Sequence, residues 1–416
     1  MAGVKVLVQK FGGTSVASPE QRLVVTGHIE RACRAGYQVV VVVSAMGRRG
    51  APYATDTLLE LLGDNEVEPR ERDLLLACGE VISGVVLTGL LKSKDLPAVF
   101  LTGGQAGIIT DAQFGDARIL RVEPRRIQSY LDQGRVVVVA GFQGVTESGE
   151  VTTLGRGGSD TTAVALGVAL GAEAVEIFTD VDGVKTADPH IVSDARTLST
   201  ITYNEVCQMA YEGAKVIHPR AVEIARQKNI PLRIKSTFND GPGTLVVAWQ
   251  PGVTGVHISR DRVITGITHM DGLTQLRVSL PSGEGAGEVF PLLAQNNISV
   301  DFINIFPGEL VFTVKSEVAR QARELIEGLG LKVTARPGCA KVATVGAGMR
   351  GVPGVMATIV TALEREGIKI LQSADSYTSI WCLVDRKDME RAVQTLHREF
   401  KLNDGKTGEV KVYAVG

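Results

Sequence analysis

Lys10-Phe11-Gly12-Gly13-Thr14-Ser15 stands between residues 4–9, which read as a strand, and a helix opened by Ser18-Pro19-Glu20-Gln21. Ser18 is a good N-cap, Pro19 suits the first helical position, and Gln21 can close a capping box. A strand, a glycine turn and a helix in this order put the turn at the carboxyl edge of a parallel sheet. Open α/β sheets bind ligands at such edges. Two glycines let the backbone approach a phosphate, the helix N-terminus favours an anion, and Lys10 adds a point charge. The plainer alternative is a tight turn with no ligand.

The alternation of strand and helix continues through residues 1–245, the pattern of a mainly parallel sheet with helices on both faces. Residues 38–43 are nearly all valine, as in a strand buried on both sides. Residues 135–140 and 175–179 repeat the pattern. Residues 161–170 are small and apolar almost all round and predict an internal helix. Asn239-Asp240-Gly241-Pro242-Gly243 and Gln250-Pro251-Gly252 are breaker clusters that predict a boundary, with a linker over 246–261. Beyond it, strand, helix, strand, strand and helix are expected at 273–280, 286–295, 298–306, 310–314 and 316–328. After Arg336-Pro337-Gly338 the order recurs at 340–345, 353–366, 368–373, 379–384 and 387–400. Ile298 and Val300 fall opposite Ile368 and Ile370 in this repeat. Two small α+β modules follow, 262–336 and 337–416.

Composition narrows the function. The chain has 416 residues, beyond the roughly 250–300 at which a single core stops growing. With 44% hydrophobic residues it has ample core material and is no disordered chain. Its 44 Lys and Arg against 46 Asp and Glu leave no positive field to hold nucleic acid. The five cysteines form no C-x-x-C pair, which speaks against a zinc site or a disulfide framework and for a reducing cytoplasm. The longest apolar stretches read as broken short of the ~20 residues of a membrane span. Residues 1–9 read as a strand and not as a signal peptide.

A second glycine loop is Gly155-Arg156-Gly157-Gly158-Ser159-Asp160-Thr161-Thr162. Arg156 offers a planar fork to a carboxylate. Asp160 suits an ammonium group or nearby lysines, although Ser159 and Asp160 also suit plain helix caps. No Walker A sequence occurs. Thr179-Asp180 follows a strand and so lies at the same edge. Glu80 follows Gly79 on an apolar helix, where complementing the helix dipole is the alternative. Lys215 lies between two helical stretches, where a lysine is ordinarily just solvated. Gly346-Ala347-Gly348-Met349-Arg350-Gly351 fits G-x-G-x-x-G. However, the strands that follow it are joined by a short connection and should be antiparallel, which argues against a dinucleotide site. His28 reads as structural.

Together these segments resemble aspartate kinase, of the amino-acid kinase superfamily, along the whole chain. The resemblance rests on residues 10–16, on Val43-Ser44-Ala45-Met46-Gly47, on Thr153-Leu154 running into the second glycine loop, on Phe178-Thr179-Asp180-Val181-Asp182-Gly183-Val184, and on Gly213-Ala214-Lys215-Val216-Ile217-His218-Pro219-Arg220. The C-terminal repeat looks like tandem ACT regulatory modules. The resemblance implies phosphorylation of the side-chain carboxylate of L-aspartate by ATP with Mg²⁺. This is the first step toward lysine, threonine, methionine and diaminopimelate. It implies Lys10 and Asp160 as catalytic residues, and Ser44, Thr55, Glu80, Arg156 and Ser159 as substrate-binding. Lys10, Gly12, Gly13, Ser15, Thr179, Asp180, Lys185, His190 and Lys215 would bind nucleotide. Mg²⁺ would be held by phosphates and water with no dedicated protein ligands. Lys185 and His190 stand where the family usually has Tyr and Arg. In the first ACT-like module, Asp301 would bind an effector's ammonium group and the 285–287 helix start (Gly285, Ala286, Gly287) its carboxylate. A plainer role for Asp301 is to cap or to face solvent. Lysine, threonine and diaminopimelate are the candidate effectors. Residues 372–376 and Trp381 lean toward the monofunctional diaminopimelate-sensitive subclass. Pairing of ACT modules between chains implies a homodimer or larger assembly. The rivals are a kinase acting on glutamate or acylated glutamate, and an idle amino-acid sensor that kept the fold.

Overall fold

The computed structural model describes residues 5–214, 216–248, 263–280, 285–349 and 352–404. Lys215, Gln250-Pro251-Gly252, Arg350, Gly351 and most of the expected linker lie outside them. Two compact units account for the chain. The first holds Met1–Val184, Thr197–Ala210 and Lys215–Ile258, and the second Lys185–Arg196, Tyr211–Ala214 and Ser259–Gly416. A single cut at 245 therefore misses two excursions, 185–196 and 211–214, that pack with the C-terminal residues.

The first unit is built on an eight-stranded sheet. Its order is Thr200–Thr202, Thr244–Val247, Leu232–Ser236, Ala174–Thr179, Val6–Phe11, Gln38–Val43, Val136–Ala140 and Ala98–Leu101. Every neighbouring pair is parallel except 232–236 with 244–247. That antiparallel pair corrects the reading of residues 239–243 as a boundary. They are a turn within one sheet, and the chain returns beside the strand it has just left. The valine strand lies between Val6–Phe11 and Val136–Ala140, and Val39 to Val43 are all buried, as two covered faces require. Helix Pro19–Arg34 begins with both bonds of the capping box between Ser18 and Gln21. Helix Gly158–Ala169 is buried on every side from 158 to 167. A smaller four-stranded sheet joins Ile119–Val122, Ile108–Thr110, Gln143–Val145 and Val151–Thr153.

Helix Pro69–Ser93 revises one expectation. It is unbroken over 25 residues and apolar enough, by length and composition, to cross a membrane. Its packing is that of a core helix. Leu76, Leu87 and Leu91 are buried, and so are two carboxylates, Asp73 and Glu80, each bonded to backbone N–H groups.

The second unit carries an antiparallel six-stranded sheet in the order Asp301–Phe306, Glu309–Lys315, Gly266–Ser279, Val333–Val345, Ser379–Asp385 and Gln372–Asp375. Two of its strands are longer than the sequence suggested. Val333–Val345 runs straight through Arg336-Pro337-Gly338, where a break was expected. Each long strand serves two cores. Leu276 and Val278 join Val289, Leu293, Ile298 and Phe312 in one. Ile264 and Ile267 join Ala340, Val342, Ile359, Ile368 and Leu396 in the other. Register shifts between Met270 and Gln275 mark the changeover. The two repeats are thus interleaved instead of meeting at 336/337, because the second module takes a strand from residues ahead of the first. Ile298 and Ile368 occupy matching core positions, as the repeat requires. Gln372–Asp375 and Ser379–Asp385 pair antiparallel, so the G-x-G-x-x-G match has no dinucleotide-binding unit around it.

Candidate active site

The strand Val6–Phe11 delivers Lys10 to the carboxyl edge of the parallel sheet, and the first turn of the buried 158–169 helix delivers Asp160. Lys10 Nζ lies 2.7 Å from Asp160 Oδ1, with both side chains only 12% exposed. The pair is a contact of charges held away from bulk water, where each charge acts more strongly on a third. Asp160 Oδ2 also accepts a long bond, 3.4 Å, from the backbone N–H of His218. Burial pushes the His218 imidazole below its ordinary pKa.

Gly12 and Gly13 turn the chain beside this pair. The Gly12 N–H donates to the Phe178 carbonyl at 3.3 Å, so of the two amides expected to meet phosphate that one is already engaged. Gly13 admits no side chain. A Cβ there would lie 2.6 Å from the carbonyl oxygens of both Ala45 and Gly47, and main-chain atoms cannot give way as a side-chain end can. Gly13→Ala should therefore displace the loop and lower kcat/KM by about 10- to 100-fold. Steady-state kinetics beside an unchanged circular dichroism spectrum would check this. Ser15 Oγ is buried 2.6 Å from Thr237 Oγ1, which ties the loop to the residue after the Leu232–Ser236 strand.

Ser44 follows the valine strand, its N–H bonded to the Phe11 carbonyl at 3.2 Å. Thr55 opens the short helix Thr55–Glu60. Glu80 is 2% exposed, and its Oε1 accepts the Ala45 N–H at 2.9 Å. Its Oε2 is buried without a hydrogen-bond partner. Burial pushes this carboxyl up to about 8. Ser159 is buried and Arg156 is exposed on the loop before it. Thr179 ends its strand, and Asp180 Oδ2 meets Arg48 Nη2 at 2.5 Å.

The structure thus joins Lys10 to Asp160 directly and places the glycine turn, Ser15 and Ser44 after neighbouring strand ends, with Glu80 reaching from helix Pro69–Ser93 to the Ala45 N–H. Lys215 lies outside the described residues. Lys185 and His190 sit on the excursion that packs with the second unit, where Ala187 and Val192 enter its core. In that unit Asp301 opens the edge strand and Gly285 caps helix Ala286–Gln295. Asp301 does more than cap or face water: its Oδ1 accepts the Phe302 N–H at 2.7 Å, and its Oδ2 lies 2.5 Å from Lys341 Nζ.

Two residues escaped the sequence reading. Arg48 follows directly on the Val43–Gly47 segment, and that adjacency was the available signal. Asp73 carried none. It is buried and accepts the Thr153 N–H at 2.7 Å, the Thr153 hydroxyl at 2.8 Å and the Gly115 N–H at 3.0 Å. It fixes the strand end that runs into Gly155 and Arg156, a role that exists only once the helix meets that strand.

Comparison with known proteins identifies the family. A profile of the amino acid kinase family matches residues 5–236, and an ACT domain profile matches residues 334–398. Aspartokinase 1 of Bacillus subtilis (strain 168) is 51% identical over 404 residues, spanning 96% of this chain and all of the relative. The aspartokinase of Thermus thermophilus is 40% identical over 415 residues, 95% of this chain and 99% of the relative. Among solved structures, E. coli aspartokinase III in complex with aspartate and ADP superposes with a TM-score of 0.75 at 26% identity, covering 95% of this chain and all of that one. The same enzyme in complex with lysine and aspartate gives 0.74 at 27% identity, covering 94% and 99%. A lysine–aspartate pair beside a glycine turn, a fold matched from end to end and identity of this order over full-length relatives lead to one conclusion: the chain belongs to the aspartokinase family.

Proposed function

We propose that this aspartokinase transfers the γ-phosphoryl group of ATP to the side-chain carboxylate of L-aspartate at the Lys10–Asp160 edge of the sheet. The product, 4-phospho-L-aspartate, opens the route to lysine, threonine, methionine and diaminopimelate. The carboxylate is already ionised at neutral pH. Its oxygen forms the new bond to phosphorus as the bond to the ADP oxygen breaks, and no proton need be removed. The protein's task is to position the reactants and to stabilise charge. Lys10 meets the charge on the transferring phosphoryl, and Asp160 fixes where the Lys10 ammonium stands. Arg156 grips the substrate's α-carboxylate. The free oxygen of Glu80 receives its ammonium, beside Ser44, Thr55 and Ser159. Gly12, Gly13, Ser15, Thr179, Asp180, Lys185, His190 and Lys215 serve the nucleotide.

Mg²⁺ supplies further positive charge on the phosphates. Among the described residues no three His, Cys, Asp or Glu side chains gather into a cage. We read the ion as carried on ATP oxygens and water, since Mg²⁺ keeps its water readily. The observation that carries the reading is the 2.7 Å Lys10–Asp160 pair, and the unpartnered oxygen of Glu80, a helix residue bonded to the Ala45 N–H, supports it.

An end-product amino acid, one of lysine, threonine or diaminopimelate, would act at Asp301 and the 285–287 helix start. The enzyme would work in the cytoplasm, free of membrane and nucleic acid, as a homodimer or larger. Support for the dimer comes from the edge strand Asp301–Phe306, which exposes Ile303, Ile305 (61%) and Phe306. Ile305→Lys should weaken self-association at least tenfold by analytical ultracentrifugation, with the monomer still folded.

ADP release measured with L-aspartate, L-glutamate and N-acetyl-L-glutamate, each with and without the three amino acids, tests the whole reading. Turnover with aspartate alone, suppressed by one of them, is expected. Equal turnover with glutamate, or none with aspartate, would contradict it.

A further inference from the structure

Lys341 stands on the long strand Val333–Val345 and is 4% exposed. Its Nζ lies 2.5 Å from Asp301 Oδ2, 2.7 Å from Glu212 Oε2 and 5.7 Å from the ring centre of Trp381. One ammonium thus serves two carboxylates of unlike setting. Asp301 is half open to water, whereas Glu212 is buried, and burial pushes its carboxyl above the ordinary range. Taking Lys341 away from either carboxylate matters most for Glu212, because an unpaired buried charge is far less favourable than an exposed one.

Glu212 belongs to the excursion Tyr211–Ala214, which packs with the second unit. Its neighbour Gly213 has φ +110°, and a Cβ there would lie 2.0 Å from the His269 carbonyl oxygen. The excursion is therefore seated twice, by close backbone approach to the 266–279 strand and by the Lys341 ion pair. Three residues along the chain stands Lys215, and His218 beyond it donates its N–H to Asp160.

We propose that Lys341 is the internal competitor and the relay of the effector site. Its ammonium holds the position on Asp301 that an effector's amino group must take, and its retreat onto Glu212 carries effector occupancy into the segment that ends in Lys215. The inference rests on the reading of Asp301 as an effector ligand. An effector gains Asp301 only against Lys341, so the two cations set its affinity between them. Coupling between sites requires such a differential contact, and Glu212 supplies it.

The test uses the full chain with Trp249→Phe as background, which leaves Trp381 as the one tryptophan. Lysine, threonine and diaminopimelate are titrated into this protein and into its Lys341→Met variant. Binding is read by equilibrium dialysis, displacement of the ammonium by Trp381 emission, and coupling by inhibition of turnover. In the parent, the amino acid that inhibits should also change the emission. Lys341→Met should bind it at least threefold more tightly, lose the emission change and lose most of the inhibition. Affinity and inhibition equal to the parent's would overturn the proposal. If the single variant does not fold, Lys341→Met with Glu212→Gln removes both buried charges and should show the same uncoupling. If none of the three amino acids binds the parent, the effector reading fails. The relay is then judged by Glu212→Gln alone, which should raise KM for ATP at least threefold with KM for aspartate unchanged. An unchanged KM for ATP would overturn it.

Discussion

Lys10→Ala should lower kcat by roughly 100- to 1,000-fold, the loss seen when one preorganised donor to a transition-state charge is removed. The ammonium is held 2.7 Å from Asp160 in a site where both side chains are largely shielded. It therefore needs no reorganisation as charge develops on the phosphoryl oxygens. A lysine whose only work is to solvate a surface would change activity very little. The change also leaves Asp160 shielded and without its cation, so the variant should melt at a lower temperature. Lys10→Arg separates the two effects. It keeps the charge and much of the stability, but a planar fork cannot place its charge where a point ammonium stood, so kcat should remain low. Thermal melts beside single-turnover rates distinguish them. An alanine variant that keeps more than a tenth of the parent's kcat would remove Lys10 from the chemistry.

Glu80→Gln should raise KM for aspartate by about 10- to 100-fold at pH 8.5 and change its dependence on pH. Burial raises the Glu80 carboxyl to about 8 in the free enzyme, so it is mostly protonated at neutral pH. A substrate ammonium binds the ionised form. Below pH 8 the apparent KM should rise nearly tenfold for each unit the pH falls, and above it should level off. Glutamine has no proton to lose, so the variant's KM should stay flat. Stability shows the same linkage with its own sign. A carboxyl whose folded pKa exceeds its unfolded one stabilises the fold fully below about 4.5, and that contribution is lost as pH rises toward 8. The variant should lack this decline. Parallel KM profiles in the two proteins between pH 6 and 9 would show that Glu80 does not face the ammonium.

Local chemistry made much of this legible in advance. The capping box at Ser18 and Gln21, the valine strand and the small, mostly apolar 161–170 stretch each carry their signal within a few residues. The edge that holds Lys10, Asp160 and Thr179 follows from the strand–turn–helix order. What stayed hidden depends on pairing between distant segments. Nothing in Arg336-Pro337-Gly338 shows that a strand runs through it, because that follows from its register with residues 273–277. Residues 239–243 have the composition of a linker, and only the antiparallel return of 244–247 makes them a turn. The apolar stretches within Pro69–Ser93 read as short because charged residues, Asp73 and Glu80 among them, stand in the same helix. In the fold both are buried and bonded to backbone N–H groups. Asp301 is legible in the sequence as an acid beside a strand, but its bond to Lys341, 40 residues away, is not.

The central claim is that this chain makes an acyl phosphate from aspartate at the Lys10 site, and hydroxylamine trapping tests it most directly. The wild-type protein with MgATP, L-aspartate and hydroxylamine should yield aspartate hydroxamate in step with ADP, and Lys10→Ala should yield almost none. ADP formed without hydroxamate, or hydroxamate formed equally by both proteins, would contradict the account.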